Sequence, residues 1–177
     1  MARLMGKKGK TDPNAGTDVT ELVSAFNKVM EDGGYPTPEE IMSAKEGFTE
    51  KTLRTVEAWK MEVWYPVRDE SDEHRFEAIK ALLLRLAVDL EKPLRAVIWE
   101  NEGKLKKGGS YAEGSITLYG APSVITGMHE LGHHLFGSGE PKACSWSVHL
   151  FRMTFPRAFE KLSWNGHMLV EYVPKKP

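Results

Sequence analysis

Residues 109–136 read GSYAEGSITLYGAPSVITGMHELGHHLF, and the order of patterns within this stretch decides the fold. Ser110-Tyr111-Ala112 and Ser115-Ile116-Thr117-Leu118-Tyr119 flank the turn Glu113-Gly114. The second segment alternates with period two, so two short strands are expected. After Gly120 the period changes. Pro122-Ser123 opens a helix from Val124 to Phe136 whose apolar stripe is Val124, Met128, Leu131 and Leu135. The other face carries His129-Glu130-Leu131-Gly132-His133, an H-E-x-x-H pattern.

The spacing has a mechanical consequence. Residues four apart share a helix face, so His129 and His133 converge on one metal ion. Glu130 lies one residue on, beside the ion, where it can take a proton from the attacking water. His134 is turned off that face by one helical step, and no direct role is expected of it. A catalytic zinc takes three protein ligands and leaves a position for water. The extended pattern with Gly at 136 and His at 139 is absent, since Phe136 and Gly139 stand there, and no cysteine lies upstream. A carboxylate from the next helix remains. Glu140, the first acid after His133, is the leading choice, with Glu160, His149 and Cys144 as alternatives.

Upstream the chain reads as helical. Leu22, Val23, Phe26 and Met30 fall at helical spacing and end at Gly33-Gly34. Thr37-Pro38-Glu39-Glu40 combines a cap, an early proline and acids at a helix start. Leu53, Val56 and Trp59 predict a helix to about Tyr65, where Pro66 should stop it. Ser71 to Leu90 is the longest candidate, with Phe76, Ile79, Leu83, Leu86 and Leu90 on one stripe. Leu94 to Glu100 is β-branched and aromatic and reads as a strand, so a small antiparallel sheet is expected. A last helix should run from Glu140 or Pro141 to about Phe155, ended by Pro156.

Composition bounds the function. The chain has 177 residues, 41% of them hydrophobic and 28% charged, enough for a core and a polar shell. Lys and Arg number 24 against 25 Asp and Glu, which removes a whole-chain electrostatic case for nucleic acid or an anionic membrane. Arg3, Lys7, Lys8 and Lys10 make residues 1–18 a flexible basic arm, at most a weak nucleic-acid contact. Residues 19–177 are expected to form one domain, a helical half (19–92) followed by the sheet and active-site helices (93–177). With the single cysteine Cys144, no secretory signal and no apolar run of membrane length, a cytoplasmic protein with no membrane partner is expected.

HELGHHLFG followed by E-P-K-A-C-S-W-S-V-H-L-F resembles the ImmA/IrrE-like zinc peptidases of the gluzincin group. Their third-ligand helix has the form E-x-x-A-N-x-F-A-x-x-L-L-x-P. Glu140, Ala143, Trp146, Ser147, Leu150 and Phe151 fall on it, while Cys144 stands where Asn is usual. GSYAEGSITLYG is similar to the two strands before the motif in thermolysin-like enzymes. The resemblance covers about Gly108 to Pro156. It implies an α+β, zincin-like fold and a zinc-dependent endopeptidase, with Zn2+ on His129, His133 and Glu140 and Glu130 as base. It also implies an edge strand, Gly109, Ser110, Tyr111 and Ala112, that holds an extended peptide of a protein substrate. A transcriptional regulator is the substrate such relatives suggest. Gluzincins add a group that steadies the oxyanion, for which Tyr111, Tyr119, His149, Arg152, His167 and Tyr172 are candidates. Two other readings stand beside this one: a non-catalytic, partner-binding regulator with a structural metal, and a zinc hydrolase of non-peptide substrates.

Overall fold

The structure is a computed structural model and describes Val23 and residues 34–101 and 108–171. The basic arm, the rest of the helix expected around Leu22 to Met30, and Tyr172 lie outside the described residues. Within them the architecture is α+β: helices, a small mixed sheet, then further helices.

Four α-helices and a π-helical turn build the first part of the described residues. Helix α1 (Pro38–Ser43) starts on Thr37, whose hydroxyl accepts from the Glu40 amide. Helix α2 (Glu50–Trp59) is capped by Thr49 and runs into a π-helical turn, Lys60–Trp64, then a short helix α3 (Tyr65–Val67). Pro66 therefore does not end the helical path. The wider turn before it, where the Tyr65 amide reaches the Lys60 carbonyl, absorbs the break in hydrogen bonding that proline imposes. Helix α4 (Asp72–Asp89) follows the cap Ser71 and buries Phe76, Ile79, Leu82, Leu83 and Leu86. Trp59 ties α2 to α4 by donating from Nε1 to the Ala78 carbonyl at 2.7 Å.

Strands β1 (Ala96–Glu100), β2 (Gly109–Ala112) and β3 (Ser115–Tyr119) form a sheet in the order β1-β3-β2. The sheet is mixed, not antiparallel as expected: β1 runs parallel to β3, while β2 and β3 form a hairpin. Glu113 and Gly114, both with positive φ, make its two-residue turn. The apolar content of the strands explains the order. In β3 both Ile116 and Leu118 are fully buried, which suits a central strand, whereas β2 buries no side chain completely and takes an edge.

Helix α5 (Val124–Phe136), capped by Ser123, packs on α6 (Glu140–Thr154), on α4 and under the sheet. Its stripe of Val124, Met128, Leu131 and Leu135 is buried in the common core. Thr154 closes α6 and Pro156 starts a short α7 (Pro156–Glu160). A hairpin then follows, β4 (Leu162–Asn165) and β5 (Met168–Glu171), joined through Gly166 and His167. Among the described residues no helix is long and apolar enough to cross a membrane.

Candidate metal centre

Helix geometry places His129 and His133 on one face of α5, with their Nε2 atoms 3.2 Å apart. The chain turns at Gly137 and Gly139, and Glu140 is the first residue of α6. Its Oε2 lies 3.2 Å from His129 Nε2 and its Oε1 3.1 Å from His133 Nε2. These separations suit a metal. Donors bonded at ~2.0–2.1 Å to a tetrahedral zinc stand roughly 3.3 Å from one another. The three residues thus form a group whose donor atoms could hold an ion.

The remaining ring nitrogens are held too. His133 Nδ1 is 3.0 Å from the Gly137 carbonyl, which accepts its proton and leaves Nε2 as the free donor. His129 Nδ1 faces Cys144 Sγ at 3.9 Å. Glu130 is buried in the wall of the same cleft. The cleft, about 720 Å³, is bounded by β2 through Gly109, Ser110 and Tyr111 and by α5 through His129, Glu130 and His133. Ala112, expected with the other strand residues at the cleft, is exposed and does not line it.

Two close approaches make this arrangement possible. A Cβ on Gly109 would stand 2.9 Å from Thr126 Cγ2 and 3.1 Å from Glu130 Cγ, so only glycine lets β2 lie this near α5. A Cβ on Gly132 would stand 3.0 Å from Ala143 Cα and 3.2 Å from its carbonyl oxygen. These are backbone atoms and cannot swing aside. Gly132→Ala should therefore push α6 away and lower stability by about 1–3 kcal/mol, a cost that the better helix propensity of alanine (~1 kcal/mol) offsets only in part. Thermal unfolding and zinc titration of the variant test this, and wild-type values in both would refute the role of the contact.

Among the alternatives for a third ligand, Glu160 is exposed on α7 and His149 Nε2 is bonded to the Ile41 carbonyl at 2.9 Å. Cys144, in contrast, lies beside the group, with Sγ 3.8 Å from Glu140 Oε2. Of the candidates for steadying an oxyanion, Tyr119 bonds Ser110, and the Arg152 guanidinium lies over the Phe159 ring. Tyr111 lines the cleft, but its hydroxyl accepts from the Gly114 amide and meets His134 Nδ1 at 2.9 Å. His134 Nε2 in turn lies 2.7 Å from the Lys92 carbonyl. His134 is thus a structural tie between α5, β2 and the segment before β1. Among the described candidates, His167 reaches the cluster, its Nε2 3.7 Å from Glu140 Oε2 and its ring stacked on Tyr35. The hairpin that carries it was not foreseen, although Asn165-Gly166 between apolar runs is a strong turn signal.

The charges are interlocked. Burial opposes charging His133, but its hydrogen bonds with Glu140 and the Gly137 carbonyl, together with the Glu140 and Glu130 charges, outweigh it and raise the pKa above the ordinary 6.5. Burial likewise works against the Glu140 carboxylate, yet its hydrogen bonds with His129 and His133 hold it well below the ordinary 4.5. Burial lowers His167, and burial with the Glu140 charge pushes the Cys144 thiol up to about 12. The signs fix a pH window for the metal-free protein. The raised His133 contributes stability in full below pH 6.5 and loses it as pH rises through its folded value. The lowered Glu140 contributes in full above pH 4.5 and loses it as pH falls. This stabilisation is therefore complete between the two values. Zinc needs His133 without its proton, so affinity should rise with pH across the same step. Denaturation of the metal-free protein and zinc titration at pH 5.5 and 8 should show opposite trends, and parallel trends would exclude this coupling.

No family model, curated protein or solved structure matches the chain. The chemistry of the site rests on its own residues, a group of donors that could hold a metal ion.

Proposed function

We propose that the protein is a zinc-dependent endopeptidase of the gluzincin type, acting on an extended segment of a protein substrate such as a transcriptional regulator. One observation carries the reading: Glu130 is buried in a cleft beside three side chains suited to zinc, and the edge strand of a sheet lines the same cleft. A structural ion has no use for such an acid. Zinc bound by His129, His133 and Glu140 would supply Lewis acidity toward a carbonyl oxygen and acidify water. Glu130 would take the proton of the attacking water and pass it to the leaving amine. Strand β2 pairs with β3 alone among the described strands, so its outer edge suits β-augmentation by an extended peptide beside Tyr111. The test is cleavage of an unfolded protein, such as reduced casein, by zinc-loaded protein before and after removal of the metal. Cleavage that stops with the chelator and returns with zinc is expected. Cleavage that persists without metal would overturn the reading.

A second reading has its own support. Cys144 and His167 bring further donors to Glu140, forming a second metal-capable group. If one of them completed four protein ligands around a single ion, the site would be closed and structural, as in a partner-binding regulator without catalysis. X-ray absorption at the zinc edge separates the two: a bound water oxygen supports the peptidase, and four protein donors support the regulator.

A further inference from the structure

We propose that Glu140, Cys144 and His167 form a second metal site, which shares the Glu140 carboxylate with the first and takes a thiolate-accepting divalent ion such as Zn2+ or Co2+. The donor atoms of these three residues lie within 4.8 Å of one another. Cys144 Sγ and His167 Nε2 stand 3.8 and 3.7 Å from the same oxygen of Glu140, close to the roughly 3.3–3.5 Å that neighbouring N, O and S ligands of one zinc subtend.

Position separates this group from the first. Cys144 Sγ approaches His129 on its Nδ1 edge, whereas Nε2 is the nitrogen aimed at His133 and Glu140. The thiol therefore stands at the Nδ1 edge of the His129 ring. Two elements deliver the donors: α6 supplies Glu140 and, one turn on, Cys144, and the β4–β5 turn supplies His167. The Cys144 sulfur also lies 3.8 Å from the His167 carbonyl, which ties the hairpin to the helix.

The chemistry is consistent. On binding, Cys144 releases its thiol proton to solvent and donates the sulfur lone pair, while His167 donates through neutral Nε2. The Glu140 carboxylate, 3.8 Å from the sulfur, supplies negative charge that favours a dication here. A metal-bound thiolate is a better acceptor for His129 Nδ1–H than a thiol, so filling the second site would fix the ring that serves the first. Imidazole, carboxylate and thiolate together suit zinc or cobalt rather than magnesium or calcium.

The inference rests on the Glu140 assignment above, and the experiment keeps the two apart. Co2+ is titrated into the metal-free full-length protein while the near-ultraviolet sulfur-to-cobalt charge-transfer band is followed. Two equivalents are expected, one of them carrying the band. Cys144→Ser and His167→Ala should each bind one equivalent and lose the band, and His167, on a partly exposed turn, can be replaced with little risk to folding. His129→Ala combined with His133→Ala should lose the other equivalent and keep the band. One equivalent without the band in the wild type would overturn the second site. One equivalent with the band, lost in the His129/His133 double variant, would also overturn it, because all the donors would then surround one ion. A single equivalent whose band survives in the double variant would uphold the second site and remove the first.

Discussion

Glu140→Ala is expected to weaken zinc binding by more than about 100-fold, because loss even of an outer partner of a metal ligand costs ~10–100-fold. The carboxylate meets both imidazoles at 3.1–3.2 Å, so it would be a direct ligand and not an outer partner. Its removal also leaves two neutral imidazoles without the negative charge that offsets a dication. Glu160→Ala is the control. Glu160 is exposed on α7, so the Glu160→Ala protein should bind zinc as the wild type does. Equilibrium dialysis against zinc measures both. Wild-type affinity in Glu140→Ala would remove Glu140 from the site, and loss in Glu160→Ala would put a distant acid in its place. Glu140→Ala should also lower the His133 pKa, since the Glu140 hydrogen bond and charge that help raise it are gone.

The second large effect separates binding from chemistry. Glu130→Gln should keep zinc and lose peptide cleavage by about 10²–10⁴-fold, the usual contribution of a positioned general base. Glutamine has nearly the same size, so the wall against Gly109 and Thr126 stays filled, while the amide cannot accept a proton from water. Zinc content and turnover are measured on the same preparation. Equal cleavage by wild type and Glu130→Gln would reject Glu130 as the base. Loss of zinc together with activity would show instead that Glu130 belongs to the binding group.

Much of this was legible from local patterns. The caps Thr37, Ser71 and Ser123 start helices where their side chains accept from amides three residues on, and helix α5 spans the residues that its period implies. Capping and amphipathic period act within a turn or two, so they can be read from neighbours in the chain. Pro66 misled for a related reason. Its local effect is real, but a π-helical turn accommodates it, and packing of Trp59 and Trp64 with ring centroids 5.5 Å apart accompanies that turn.

The sequence by itself determined that two imidazoles and a carboxylic acid share one stretch of helix, because an interval of four residues on a 3.6-residue helix leaves no freedom in where they point. It also determined the two-residue turn at Glu113-Gly114 and the division of α5 into a core face and a polar face. Only the tertiary structure decided which acid meets the two histidines, which strand takes the centre of the sheet, and that His167 stands beside Glu140. These contacts span breaks in regular structure, and such breaks carry no period to read. Their geometry is set by how closely α6 can approach α5 at Gly132 and Ala143, and by where the chain after Pro156 turns back as a hairpin. Close packing, not local preference, chooses among those positions.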